Sequence, residues 1–139
     1  MGFLEPRFPE GSLYFTGTYS DEYGVPNGLM KVRNVHRDFR RFLGDIGFAG
    51  DFVCGVEKHQ YRDVLHLHGI LAPLPPRLLL ASEPLGDSSG ASMDAAYLKG
   101  RWGADRGYAR VLPVLDGCVS YVTKYALKGD AESFDWRLR

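Results

Sequence analysis

His66 and His68 are the residues of this chain whose type and spacing most directly suggest chemistry. They lie in Val64-Leu65-His66-Leu67-His68-Gly69-Ile70-Leu71-Ala72, an apolar stretch with β-branched edges that reads as a strand. Side chains at i and i+2 of a strand leave the same face, and two imidazoles held that way can share a divalent cation. Upstream, Asp51-Phe52-Val53-Cys54-Gly55-Val56-Glu57-Lys58-His59 reads as a second strand, with Gln60-Tyr61-Arg62-Asp63 as a tight connection. An even-length loop centred between Tyr61 and Arg62 sets Glu57 directly opposite His66, on the same face. An odd-length loop shifts the register by one and separates them. The alternative is two histidines lining a half-solvated sheet face; the opposed glutamate favours metal. Mixed nitrogen and oxygen ligands suit Mn²⁺, Zn²⁺ or Mg²⁺ without choosing among them.

A second constellation lies near the C-terminus. Asp116 caps a predicted helix, Gly117 to Lys128, that stops at Gly129. Tyr121, Lys124, Tyr125 and Lys128 stand at i, i+3, i+4 and i+7, which aligns two phenols and two ammonium groups along one stripe. A phenol ionises near pH 10 and is a weak nucleophile at neutrality. It becomes useful where a metal polarises the phosphate it attacks and neighbouring cations favour the phenolate. Together the two constellations predict attack on a phosphodiester with a covalent phosphotyrosine intermediate. The competing reading is that both tyrosines snorkel from an amphipathic helix.

The remaining elements must position these groups. Leu13-Tyr14-Phe15-Thr16-Gly17-Thr18-Tyr19 predicts a first strand after a loose lead-in, and Ser20 to Gly28 reads as a turn-rich exposed loop. Val32, Val35, Phe39, Phe42 and Leu43 recur at helical spacing, with Asn34 as N-cap and Gly44 as stop. The outward positions carry Arg33, Arg37, Arg40 and Arg41, with Lys31 and His36 nearby. They form either a solvated face or a surface for a phosphate backbone. Pro73 to Gly90 reads as a loop with a turn of helix at Arg77 to Ala81, and Ser92 to Gly100 as a short helix between a serine cap and a glycine stop. Trp102, Arg106 and Tyr108 follow and suit either clamping of single-stranded bases or core packing. Tyr108 to Leu115 predicts a fourth strand that Pro113 confines to an edge or bulge. The tail from Ala131 adds a short strand or packs Phe134 and Trp136 onto the body.

The 139 residues suit one domain, and 17 basic residues against 17 acidic leave no net charge, so nucleic-acid contacts must come from local patches. No apolar run spans a bilayer and no signal peptide is evident, which predicts an intracellular protein with no membrane partner. Cys54 and Cys118 form no CxxC pair and read as buried thiols.

His66-Leu67-His68 resembles the His-hydrophobic-His signature of the HUH endonucleases. Tyr121-Val122-Thr123-Lys124-Tyr125 resembles the two-tyrosine motif of their rolling-circle replication initiators, especially those of small single-stranded DNA phages and similar replicons, and Tyr14 to Tyr19 falls where that family has its first strand motif. The resemblance spans roughly positions 13 to 129. It implies an α+β fold: an antiparallel sheet of about five strands with helices packed on it, related to the ferredoxin-like and RNA-recognition-motif arrangement. It implies that Glu57, His66 and His68 hold Mg²⁺ or Mn²⁺ at the scissile phosphate of single-stranded origin DNA. Tyr121 would be the first nucleophile, Tyr125 would serve a second transfer, and Lys124 would steady the developing charge. Arg33, Arg37, Arg40, Arg41 and Lys128 would contact DNA. The partners implied are a helicase and a polymerase of the host or replicon, in the cytoplasm of a bacterial or archaeal cell. Many initiators continue into a helicase domain, and this chain has no GxxxxGK[ST] loop, so 1–139 is expected to be a single nuclease domain. Alternatives are a single-tyrosine transposase of the same superfamily, a metal-dependent hydrolase with structural tyrosines, and a non-catalytic recognition-motif-like nucleic-acid-binding module.

Overall fold

A computed structural model describes residues 8, 11–58, 64–74, 90–114 and 134–138. In chain order its elements are β1 (Leu13–Tyr19), α1 (Asp21–Gly24), α2 (Val32–Asp45), β2 (Phe52–Lys58), β3 (Leu65–Leu71), α3 (Gly90–Asp105), β4 (Gly107–Pro113) and β5 (Phe134–Arg137). The strands make one antiparallel sheet in the order β4-β1-β3-β2-β5, with the helices packed on it, which is the α+β architecture the sequence predicts.

Alternation along each strand sorts the side chains onto two faces. Leu13, Phe15 and Tyr19 of β1, Phe52, Cys54 and Val56 of β2, Leu65, Leu67 and Leu71 of β3, and Ala109 and Val111 of β4 are buried. They join Val35, Phe39, Phe42 and Leu43 of α2 and Leu98 and Trp102 of α3 in one core. The other face carries a small apolar cluster at one end, where Phe8 covers Val53 and Ile70. At the other end stand Glu57, His66 and His68. Thus α2 and α3 occupy one side of the sheet and the histidines occupy the other.

Several local expectations change. Ser20 to Gly28 is not simply a loop: the Ser20 hydroxyl accepts from the Tyr23 N–H at 3.2 Å and caps the short α1. Lys31, with no side-chain cap, rather than Asn34 occupies the N-cap of α2, because the Asn34 amide donates to Gly28 O at 2.8 Å instead. The helix passes Gly44 and ends in a Schellman turn, in which Gly47 adopts φ 74° while Gly47 N–H and Phe48 N–H close on Gly44 O and Leu43 O. Likewise α3 runs through Gly100 to Asp105, because burial of Tyr97, Leu98 and Trp102 outweighs two unfavourable glycines, Gly100 and Gly103.

That extension decides the fate of Trp102 and Arg106, which do not clamp bases. Trp102 is wholly buried and its indole lies across Gly17, where a Cβ would stand 2.6 Å from the ring. Arg106 is buried in a bidentate pair with Asp38 of α2, at 2.9 and 3.1 Å, and Tyr23 donates a hydrogen bond to the same carboxylate at 2.8 Å. At the sheet edges, Pro113 ends β4, as its missing N–H requires, and the tail forms β5 beside β2. Cys54 is a buried free thiol. The predicted 60–63 connection, the helix at 77–81, Cys118 and the helix at 117–128 lie outside the described residues. Among the described residues no helix is long and apolar enough to cross a membrane.

Candidate metal centre

The β2–β3 hairpin pairs Glu57 with His66 and Gly55 with His68, the register that an even-length loop requires. Glycine at 55 puts no side chain between Glu57 and His68, so one carboxylate oxygen reaches both imidazoles. Glu57 Oε2 stands 3.3 Å from His66 Nε2 and 3.1 Å from His68 Nε2. The two rings are 4.8 Å apart between centroids and inclined at 72°, so their Nε2 atoms converge on the carboxylate without stacking. One ligand atom from each residue lies within 4.8 Å of the others. Two ligands of one ion at about 2.1 Å each are separated by about 3.0 to 3.4 Å for octahedral or tetrahedral angles. Both observed nitrogen–oxygen distances fall in that interval. The side chains are 33, 21 and 11% exposed for Glu57, His66 and His68, a partly shielded site still open to a ligand.

The sheet order adds a feature that the sequence reading missed. With β1 on the far side of β3, Thr16 pairs with His68. The Tyr14 hydroxyl lies 3.2 Å and the Thr16 hydroxyl 3.3 Å from His68 Nδ1. Either hydroxyl can donate or accept, so the contact serves both protonation patterns of the ring. When Nε2–H donates to Glu57, Nδ1 accepts from a hydroxyl; when Nε2 ligates an ion, Nδ1–H donates to one. Such outer partners fix the tautomer and orientation of ligating histidines. The period-two placement of Tyr14, Thr16 and Thr18 was visible in the sequence. That they face His68 depends on strand order.

The arginines are placed elsewhere. Arg33, Arg37, Arg40 and Arg41 belong to α2, across the sheet from the triad. Arg40 is engaged with β5, donating to Asp135 at 2.7 and 2.9 Å and to Trp136 O at 3.0 Å. His36 also lies on the helix side, with Nδ1 3.8 Å from Cys54 Sγ. Tyr121, Lys124, Tyr125 and Lys128 fall outside the described residues. On the triad face, Tyr108 of β4 and Trp136 of β5 are exposed at opposite edges. Compared with known proteins, the chain matches no family model, no curated protein and no solved structure.

Proposed function

We propose that the chain is a metal-dependent endonuclease of the HUH type, which nicks single-stranded DNA through a tyrosine and starts rolling-circle replication. The observation that carries this reading is the convergence of Glu57, His66 and His68 on one sheet face, with nitrogen–oxygen separations suited to one ion. The donor set fits Mg²⁺ or Mn²⁺, which when bound would polarise the scissile phosphate and offset its charge. Glu57 supplies the hard oxygen ligand, while Tyr14 and Thr16 hold the His68 ring in place. Tyr121 provides the attacking phenolate: its oxygen bonds to phosphorus, the bond to the 3′-oxygen breaks, and that oxygen leaves as an alkoxide that takes a proton from water. The product is a 5′-phosphotyrosine and a 3′-hydroxyl able to prime synthesis. Tyr125 offers a second phenol for transfer, and Lys124 and Lys128 favour phenolate over phenol.

The test is incubation of the protein with single-stranded oligonucleotides of varied sequence and Mn²⁺, followed by a denaturing gel. A covalent protein–DNA adduct is expected in wild type, absent with chelator and absent in Tyr121→Phe/Tyr125→Phe, with the single variants ranking the nucleophiles. Metal-dependent cleavage that survives in the double variant would replace this reading with hydrolysis. Metal-independent binding without cleavage would favour a nucleic-acid-binding module.

A further inference from the structure

We infer that Arg33, Arg37 and Arg41 form a second nucleic-acid site, which takes the phosphate backbone of duplex DNA on the side of the sheet opposite the triad. The three residues stand at i, i+4 and i+8 on α2, a line of about 12 Å at 1.5 Å rise per residue. Arg37 and Arg41 open onto a cleft of about 200 Å³ lined also by Asn27, Leu29, Asn34 and Asp38. Among the described residues the one acid of that cleft is already engaged, since Asp38 receives Arg106 and Tyr23. No hydrogen bond or ion pair holds Arg33, Arg37 or Arg41 among the described residues, whereas neighbouring Arg40 is closed by Asp135. Among the described residues the four arginines therefore divide into one clip, Arg40, and three cations that meet no acid.

This stripe runs against the stability of its own helix. Like charges at i, i+4 repel, and Arg33 sits in a first turn that has no acid to complement the macrodipole. In a chain with no net charge, such a concentration is a local feature. A bound polyanion would neutralise both unfavourable terms. The class of polyanion follows from what the stripe lacks. Among the described residues the large exposed aromatics, Tyr108 and Trp136, lie on the triad face. Single strands are held by base stacking together with charge, whereas a duplex backbone needs charge alone. Choosing DNA as the anion rests on the proposed function; the duplex site itself does not require nicking.

The test is anisotropy of a short labelled duplex of mixed sequence, with EDTA present and salt varied. It compares wild type, Arg33→Gln/Arg37→Gln/Arg41→Gln, Arg40→Gln and His66→Ala/His68→Ala. Each phosphate neutralised contributes about 0.9 to the slope of log K against log salt, so the triple variant is expected to lose about 2.7. Arg40→Gln and the histidine variant are expected to keep the wild-type slope. Glutamine matches arginine in helix propensity and removes the repulsion, so the triple variant is expected to melt no lower than wild type. Wild-type affinity and slope in the triple variant, or no duplex binding by wild type, would overturn the inference. Failure of the nicking assay alone would leave it standing.

Discussion

Replacing Tyr14 by phenylalanine removes one of the two hydroxyls at His68 Nδ1 while keeping the ring that packs beside Val53 and Ile70. The consequence for metal binding can be worked from the contacts. Tyr14 Oη is 3.2 Å and Thr16 Oγ1 3.3 Å from the same nitrogen, so each can substitute for the other. Loss of an outer-shell partner of a ligating histidine weakens metal affinity by about 10- to 100-fold, or about 1.4 to 2.8 kcal/mol. With Thr16 still in place, Tyr14→Phe is expected to cost less than this range, as is Thr16→Val with Tyr14 in place, because one hydroxyl remains at the nitrogen. Tyr14→Phe/Thr16→Val leaves Nδ1–H of a metal-bound ring without either hydroxyl and is expected at the upper end. The double effect should exceed the sum of the singles, because the two hydroxyls serve one site. Calorimetric titration with Mn²⁺, or the paramagnetic resonance signal of free Mn²⁺, reads this directly. Glu57→Gln serves as the variant with a damaged ligand and Tyr108→Phe as a control on the same face. Wild-type Mn²⁺ affinity in the Tyr14/Thr16 double variant would refute the claim that these hydroxyls orient a metal-binding histidine.

Three further outcomes follow from the packing. Arg106→Ala leaves Asp38 buried without its guanidinium and is expected to cost about 3 to 5 kcal/mol in urea unfolding, a loss that should be absent if the pair were solvated. Gly17→Ala places a methyl against the Trp102 ring and is expected to cost about 1 to 3 kcal/mol; an unchanged denaturation midpoint would show that the indole moves aside without penalty. Burial raises the Tyr19 phenol well above its ordinary range, helped by the Asp38 charge. Burial and the hydrogen bond to Asp38 raise that of Tyr23, and burial, with the Asp135 charge, raises the Cys54 thiol. In each case the folded chain keeps its proton longer than the unfolded chain. Their contribution is therefore complete below the unfolded values, about 8.5 for the thiol and 10 for the phenols, and is lost as pH rises above them. Unfolding midpoints measured from pH 8 to 11 should fall, and Cys54→Ala should remove the earlier part of that fall.

Much of the site was legible in the chain because it is local. The i, i+2 spacing of His66 and His68 and the short Glu57 to His66 separation are settled by strand alternation and one hairpin, and both follow from a few adjacent residues. The core faces of β1, α2 and β3 were legible for the same reason, since their apolar periods appear within each segment. Helix ends were read less well. Asn34 and Gly44 are suitable cap and stop residues, but Gly28 O claimed the Asn34 amide, and packing of Phe42, Leu43 and Phe48 carried α2 past Gly44 to Asp45, with the turn closing at Gly47.

Tertiary structure alone decided what surrounds the triad. Nothing near His68 announces that β1 pairs with β3; that order brings Tyr14 and Thr16 to its Nδ1. The periodicity of α2 identifies its apolar side but not the sheet face it covers, and that choice put Arg33, Arg37 and Arg41 away from the triad. Trp102, Arg106 and Asp38 became core because residues far apart in sequence bury one another. Alternation and turn length act between neighbours, whereas strand order and face selection are set by the apolar surface that distant segments remove from water together.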